Sequence, residues 1–346
     1  MADALYGDVL LCKDKSGNKV AVKRMDWDCA TRKTTQKGSY AILEDAALEW
    51  KVNKVLSAHG GHQNVLRMQD SFEEENKLHL VFDFCSKGEL FNIVHQEKKL
   101  SERRALRYAH QILLGLRHMH LNGVAHRDLS LENVLVNDND ECQICDFGLV
   151  ASIPSVRSEC VDKTLYMAPE VVASMPYLPA KADSWSLGVI LFILITGVPP
   201  FDEASPQDRC FQVATKHGVQ RLVRMWGLDS HIETLDLLTQ LLKINQNERI
   251  TVADALCHPA FKGIQMEMAH QKAKSIVASF EKECPAEDSQ TMNIRAPELC
   301  NITPASKPMS KVKAFFKRKQ KEPTTSVCHS VVAKSGHGYI PTSVEM

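Results

Sequence analysis

An aspartate and an asparagine five residues apart, Asp128 and Asn133, lie in the stretch His126-Arg127-Asp128-Leu129-Ser130-Leu131-Glu132-Asn133. It falls between a helical pattern ending at Asn122-Gly123 and a short apolar strand, Val134-Leu135-Val136. On a loop pinned by His and Arg, that spacing suits phosphoryl chemistry. The carboxylate can reach the proton of an attacking hydroxyl, and the amide can reach a metal ion on the far side of the same phosphate. Taken alone, the octamer also fits a charged turn.

It is not alone. Val20-Ala21-Val22-Lys23 lies upstream, and Asp146-Phe147-Gly148, Ala168-Pro169-Glu170 and Asp183-Ser184-Trp185-Ser186-Leu187-Gly188 follow in that order. Five ordered motifs are far more specific than any one of them. On these residues the chain resembles a eukaryotic Ser/Thr protein kinase, most like the calcium/calmodulin-dependent group, over roughly residues 2 to 262. The resemblance implies an α+β bilobal protein-kinase fold. A small antiparallel sheet lobe with its first strand truncated would sit against a larger helical lobe, with ATP between them.

The same resemblance implies transfer of the γ-phosphoryl of Mg-ATP to Ser or Thr hydroxyls of protein substrates. Asp128 would be the catalytic base, Asn133 and Asp146 would hold Mg²⁺, and Lys23 would hold the α- and β-phosphates with Glu49 as its partner. Gly7, Val9, Ala21, Phe82, Asp83, Cys85 and Glu89 complete the nucleotide site, with Phe82 as gatekeeper and Asp83 and Cys85 offering hinge backbone groups. Glu89 would sit beside the ribose and receive an arginine three residues before the target hydroxyl; as a helix N-terminal acid it would also favour the dipole. The resemblance also implies Ser/Thr rather than Tyr specificity, since the loop lacks the Ala-Ala-Arg or Arg-Ala-Ala pattern of tyrosine kinases.

Departures from the family pattern open an alternative. The three glycine positions of the phosphate-covering loop fall at Ala2, Ala4 and Gly7, and the strand before the loop is missing. Either the coding sequence begins further upstream, or the nucleotide is poorly covered, since alanine methyls obstruct the close backbone approach that glycine permits. Ser130 stands where such kinases carry a lysine that touches the γ-phosphate, and Lys163 stands at that lysine's usual threonine partner. Lys163 is then either an exposed charge or a catalytic cation swapped across the gap. Arg127 would gather an activation-segment phosphate with little help, because its usual basic neighbours are Ala151 and Asp45. A pseudokinase that binds ATP or acts as a scaffold is the rival reading, and a third makes residues 263–346 the functional module.

These groups need elements to hold them. Tyr6–Cys12 and Lys19–Arg24, joined by Asp14-Lys15-Ser16-Gly17-Asn18, read as a hairpin. Residues 28–39 read as a basic insertion. A helix over 44–57 is expected to pack Leu48, Val52, Val55 and Leu56, with Glu49 facing Lys23 and Glu44 and 73–75 solvated. Leu78–Phe84 reads as a buried strand leading to the hinge. Ser101 should cap a helix over 102–122 that buries Ala105, Tyr108, Ile112, Leu113, Leu116 and Met119. His110, His118 and His120 on it lack ligands to complete a metal set. Cys142 and Cys145 have metal-like spacing but no second pair, so Cys145 is expected to line the nucleotide pocket. Asp183 should tie down the catalytic loop, and Arg249 should pair with Glu170.

Composition sets outer bounds. Lys+Arg and Asp+Glu are equal at 42 each in 346 residues, so bulk charge argues for no nucleic-acid partner. The apolar run Leu187–Val198 fits a buried helix rather than a transmembrane segment. Eleven irregularly spaced cysteines read as reduced thiols. With no secretory signal, a cytoplasmic location is expected, with the nucleus as an alternative. The domain layout reads as a kinase domain over 1–262, a helix over 263–284 with a stripe through Met266, Ala269, Ala273, Ile276 and Phe280, and a disordered tail over 285–346. Lys311–Lys321 in that tail is basic with two aromatics, a pattern shared by calmodulin targets, lipid contacts, nuclear-import signals and plain solvated charge.

Overall fold

The computed structural model describes residues 2–4, 7–32, 44–160, 163–226, 231–268, 270 and 273–274. Chain contacts separate a unit ending at Phe261 from a second one beginning at Lys262.

The first unit opens with an antiparallel sheet ordered β1-β2-β3-β5-β4. Strand β1 (Ala2–Ala4) covers two of the expected phosphate-loop positions and pairs antiparallel with β2, Ala2 opposite Val9 and Ala4 opposite Gly7. Strands β2 (Gly7–Lys13) and β3 (Lys19–Asp26) form the expected hairpin, whose turn Asp14 closes by accepting from the N–H groups of Ser16 and Asn18. Period-two alternation puts Val20 and Val22 on one face of β3 and Ala21, Lys23 and Met25 on the other. The second face meets a cluster including Ala46, Leu66, Leu78, Leu80 and Phe82.

Helix α1 (Trp27–Arg32) occupies the start of the expected insertion, and the remainder of 28–39 lies outside the described residues. Helix α2 (Ala46–Ser57) is capped by Asp45, whose side chain accepts from Leu48 N–H. It buries Ala46, Glu49, Val52, Asn53 and Leu56, while Leu48 and Val55 are 38% and 53% exposed. The buried stripe is therefore rotated from the one read in the sequence. Apolar residues lie on several sides of this helix, and the turn that takes Glu49 inward takes Leu48 outward.

Strands β4 (Met68–Glu74) and β5 (Lys77–Asp83) finish the sheet. The strand β6 (Gly88–Glu89) and helix α3 (Leu90–Glu97) then lead to α4 (Glu102–Leu121), N-capped by Ser101. All six residues expected in the α4 core are buried. Short strands β7 (Val124–Ala125), β8 (Val134–Val136), β9 (Cys142–Ile144) and β10 (Ala151–Ser152) carry the catalytic segments between them.

Helix α5 (Pro169–Val172) precedes α6 (Pro179–Thr196), which is apolar on nearly every side and ends at a left-handed Gly197. By length and composition α6 could cross a membrane, but most of it is enclosed by the protein, as in a core helix. It packs on α4, on α9 (Ile232–Leu241) and on α10 (Val252–Leu256), while α7 (Arg209–His217) and α8 (Val219–Met225) pack together. Arg249 and Glu170 join as expected, at 2.6 and 2.9 Å. Of the second unit, residues 262–268 are helical. The rest of the stripe beyond 268 is described only at 270 and 273–274, and the tail with its basic patch at 311–321 lies outside the described residues.

Candidate active site

The catalytic loop hangs from α6. Asp183, fully buried, accepts from the backbone N–H groups of His126 (2.9 Å) and Arg127 (2.8 Å) and bonds His120 Nε2 at 2.8 Å. Burial alone would push its carboxyl up, but His120, His126 and the backbone donor of Arg127 prevail and hold it below the usual range. These bonds also secure Arg127 at φ 69°, a conformation costly for a residue with a Cβ. His126 Nδ1 accepts from Asp128 N–H, which leaves Nε2 as the protonated nitrogen facing the Cys145 carbonyl at 3.0 Å. Sequence reading missed His120 as an anchor. Its position in the last turn of α4 was the available signal.

Pairing of β8 with β9 in the register Val134↔Ile144 brings Asn133 to the start of the Asp146 segment. Cys145 N–H donates to the Asn133 carbonyl at 3.0 Å. The Asn133 amide donates to the Asp128 carbonyl (2.7 Å) and to Asp128 Oδ2 (2.8 Å), which leaves Asn133 Oδ1 as an acceptor. Lys23 Nζ lies 2.6 Å from Glu49 Oε1 and 3.7 Å from Asp146 Oδ1. Burial opposes its charge, yet Glu49, Asp146 and Glu44 together hold Lys23 above the ordinary lysine range. Glu44, expected to be solvated, instead faces this cluster, its side chain against Gly148. Burial, reinforced by the Asp146 carboxylate, pushes Glu44 up to about 8. Its sequence signal was weak, because it precedes helix α2 and stands outside the recognisable motifs.

Lys163 and Ser130 meet across the gap between activation segment and catalytic loop. Lys163 Nζ donates to Ser130 Oγ at 3.0 Å and lies 3.2 Å from Asp128 Oδ2. Desolvation raises the Asp128 carboxyl, with Lys163 working against it. Arg127 donates to the Tyr177 hydroxyl at 3.0 and 2.9 Å and to Glu159 Oε2 at 3.3 Å. Arg157 approaches the same Glu159 carboxylate at 3.6 Å. The Tyr177 hydroxyl and the Glu159 carboxylate thus hold the Arg127 guanidinium. Nothing local in the sequence pointed to either.

On the nucleotide side, sheet register sets Val9 beside Lys23 and Ala21 beside Phe82. Gly7 runs so close to β3 that a Cβ there would come within 2.0 Å of the Arg24 carbonyl oxygen. Asp83 spends its carboxylate on Arg67 and Gln69, so only its backbone faces the hinge role. Cys85 is buried, with its thiol on Gln143 Oε1 and its carbonyl accepting from Gly88 N–H. Glu89 ends β6 at the N-cap position of α3. Among the described residues, no three His, Cys, Asp or Glu side chains gather as a metal cage, Cys142 and Cys145 included. Asn133 Oδ1 and the Asp146 carboxylate are hard oxygen donors of the kind that fit Mg²⁺.

Comparison with known proteins agrees with this geometry. The protein kinase domain family matches residues 5–261. The chain is 32% identical over 258 residues to the probable serine/threonine-protein kinase KCC4 of Saccharomyces cerevisiae, covering 73% of this chain and 24% of that protein. It is 36% identical over 203 residues to the serine/threonine-protein kinase GIN4 of the same yeast, covering 57% and 17%. To human NUAK family SNF1-like kinase 2 it is 30% identical over 256 residues, covering 73% and 38%. The chain therefore spans less than two fifths of the length of these relatives. A catalytic loop tied to α6 and a lysine–glutamate pair across the sheet lobe lie within the span that the family match covers, and the chain belongs to the protein kinase domain family.

Proposed function

We propose that this chain is a Ser/Thr protein kinase that transfers the γ-phosphoryl of ATP to a hydroxyl of a protein substrate. The observation that carries the reading is the closed constellation of Lys23, Glu49 and Asp146 opposite an Asp128 held by Asn133. In the reaction the substrate hydroxyl oxygen bonds to the γ-phosphorus. The bond from that phosphorus to the bridging oxygen breaks, and ADP leaves with the electron pair. The hydroxyl proton passes to the Asp128 carboxylate. Asn133 orients that carboxylate through its amide, and Lys23, steadied by Glu49, binds the α- and β-phosphates. Mg²⁺, held by Asp146 and Asn133 Oδ1, would neutralise charge on the phosphates when bound.

The finer features belong to the same proposal. Glu89, at the head of α3, would receive an arginine three residues before the target hydroxyl. The 311–321 patch would contact calmodulin or lipid, and the protein would act in the cytoplasm or nucleus. The scaffold alternative rested on Ser130 and on the alanines of the phosphate loop. The comparisons give it no support, and Lys163 of the activation segment donates to the Ser130 hydroxyl.

The test is Mg²⁺-dependent phosphate transfer to basic Ser/Thr peptides by the full chain beside Asp128→Asn. Turnover should fall by about 10²–10⁴-fold in the variant, with nucleotide affinity nearly unchanged. Robust turnover by Asp128→Asn, or none by a parent that binds ATP, would refute the reading.

A further inference from the structure

The reacting end of the site is crowded with negative charge. Asp128 and Asp146 meet there, and Glu132 and Glu44 add to the field. Lys23 is already engaged by Glu49 and Asp146. A phosphoryl group in flight between two oxygens spreads its charge over three more, and preorganised donors aimed there carry most of the electrostatic stabilisation. Lys163 is the cation in direct contact with the base. Its ammonium has three N–H donors; one goes to Ser130 Oγ and one faces Asp128 Oδ2, which leaves a third. Ser130 is fully buried, and its hydroxyl is too short to do more than hold the ammonium in place.

Lys163 is not carried by the catalytic loop. It immediately precedes the 3-10 turn Thr164–Tyr166 of the activation segment. That turn is anchored by Ser186 of α6, whose hydroxyl donates to the Tyr166 carbonyl at 2.9 Å, and Tyr166 itself is buried. The ammonium is thus fixed from both sides, by α6 through the turn and by Ser130 through the catalytic loop.

Building on the phosphotransfer reading above, we propose that Lys163 is the catalytic cation that contacts the transferred phosphoryl group, with Ser130 as its positioning residue. The activation segment then supplies a catalytic group and not only a platform for substrate. Loss of its ordered placement withdraws a positive charge from the reacting centre, so segment order and turnover are coupled through one side chain. The bonds made and broken are those of the phosphoryl transfer already described. Lys163 exchanges no proton and donates a hydrogen bond that strengthens as charge builds on the phosphoryl oxygens.

The test uses the full chain and compares the parent, Lys163→Ala, Lys163→Met and the double variant Ser130→Lys/Lys163→Thr. The measurements are kcat and KM on a Ser/Thr peptide, ATP affinity by titration, and melting temperature. For both single variants kcat should fall by ~100- to 1000-fold while ATP affinity and melting temperature stay near those of the parent. The double variant, which moves the lysine to the catalytic loop, should regain at least about tenfold of that loss. Single variants with kcat within about threefold of an active parent would overturn the proposal. So would a loss shared by ATP affinity and melting temperature, or a double variant with no recovery. A parent that binds ATP without turnover would instead overturn the phosphotransfer reading, so the two failures are distinguishable.

Discussion

Arg249→Met is the sharpest perturbation of the scaffold that closes the activation segment. The Arg249 guanidinium is fully buried and donates to both oxygens of Glu170, at 2.6 and 2.9 Å. It also donates to the carbonyls of Lys243, Lys181 and Ile244, and lies 5.0 Å from the centroid of the Trp185 ring. Methionine fills much of the volume but leaves Glu170 as a buried carboxylate with no counter-ion. Breaking a buried pair from one side costs about 3–5 kcal/mol, because the stranded charge keeps its desolvation penalty. In a domain of this size each kcal/mol lowers the melting temperature by roughly 2–4 °C, so a drop on the order of 6–20 °C is expected. Urea unfolding and thermal melting of the nucleotide-free chain read both quantities. The double variant Glu170→Gln/Arg249→Met removes both charges and should recover part of the loss. A single-variant loss below about 1 kcal/mol, or a double variant less stable than the single, would refute the reasoning.

Two further outcomes follow from the site. Arg127 already holds the Tyr177 hydroxyl and the Glu159 carboxylate, so Ser155→Ala/Ser158→Ala should keep kcat/KM within about threefold of the parent, as should phosphatase treatment; a loss above about tenfold would show that a phosphate is required. Glu44 is pushed up to about 8 by burial and the Asp146 carboxylate, so its contribution to stability is lost as pH rises from the ordinary carboxyl range through 8. Glu44→Gln should therefore raise the melting temperature of the nucleotide-free protein more at pH 8 than at pH 5, and an equal change at both would refute that assignment.

What the sequence made legible is set by how far apart the interacting residues lie. The pairs Lys23–Glu49 and Glu170–Arg249 were readable because the resemblance to protein kinases assigns each member a place in or near a recognisable motif. The α4 core was readable from its own pattern, since its apolar positions recur at helical spacing from a clear cap. On helix α2, Val52 and Leu56 are buried as read while Leu48 and Val55 are exposed. Its burial is decided by a carboxylate that must point inward, and a hydrophobic pattern does not weigh a buried Glu49. Glu44 escaped for a related reason, because it packs against Gly148 and feels the Asp146 charge, both far away in the chain.

The two arginine-centred sites show why activation segments are harder to read than catalytic loops. Ser130 and Lys163 could be matched from the sequence, because each lies a fixed number of residues from a motif that the fold clamps on both sides. Glu159 has no such ruler. It lies between the Arg157–Tyr177 backbone pairing and the turn at Thr164, outside the recognisable motifs. Only the folded chain brings its carboxylate to Arg127. An arginine held at φ 69° with its guanidinium buried against Tyr177 has few alternatives, so the loop comes to the arginine and not the reverse. The Lys163 ammonium lies four residues beyond Glu159 on that same stretch. Weakening the Glu159–Arg127 contact should therefore lower turnover in the parent but much less in Ser130→Lys/Lys163→Thr, where the cation no longer rides on the segment.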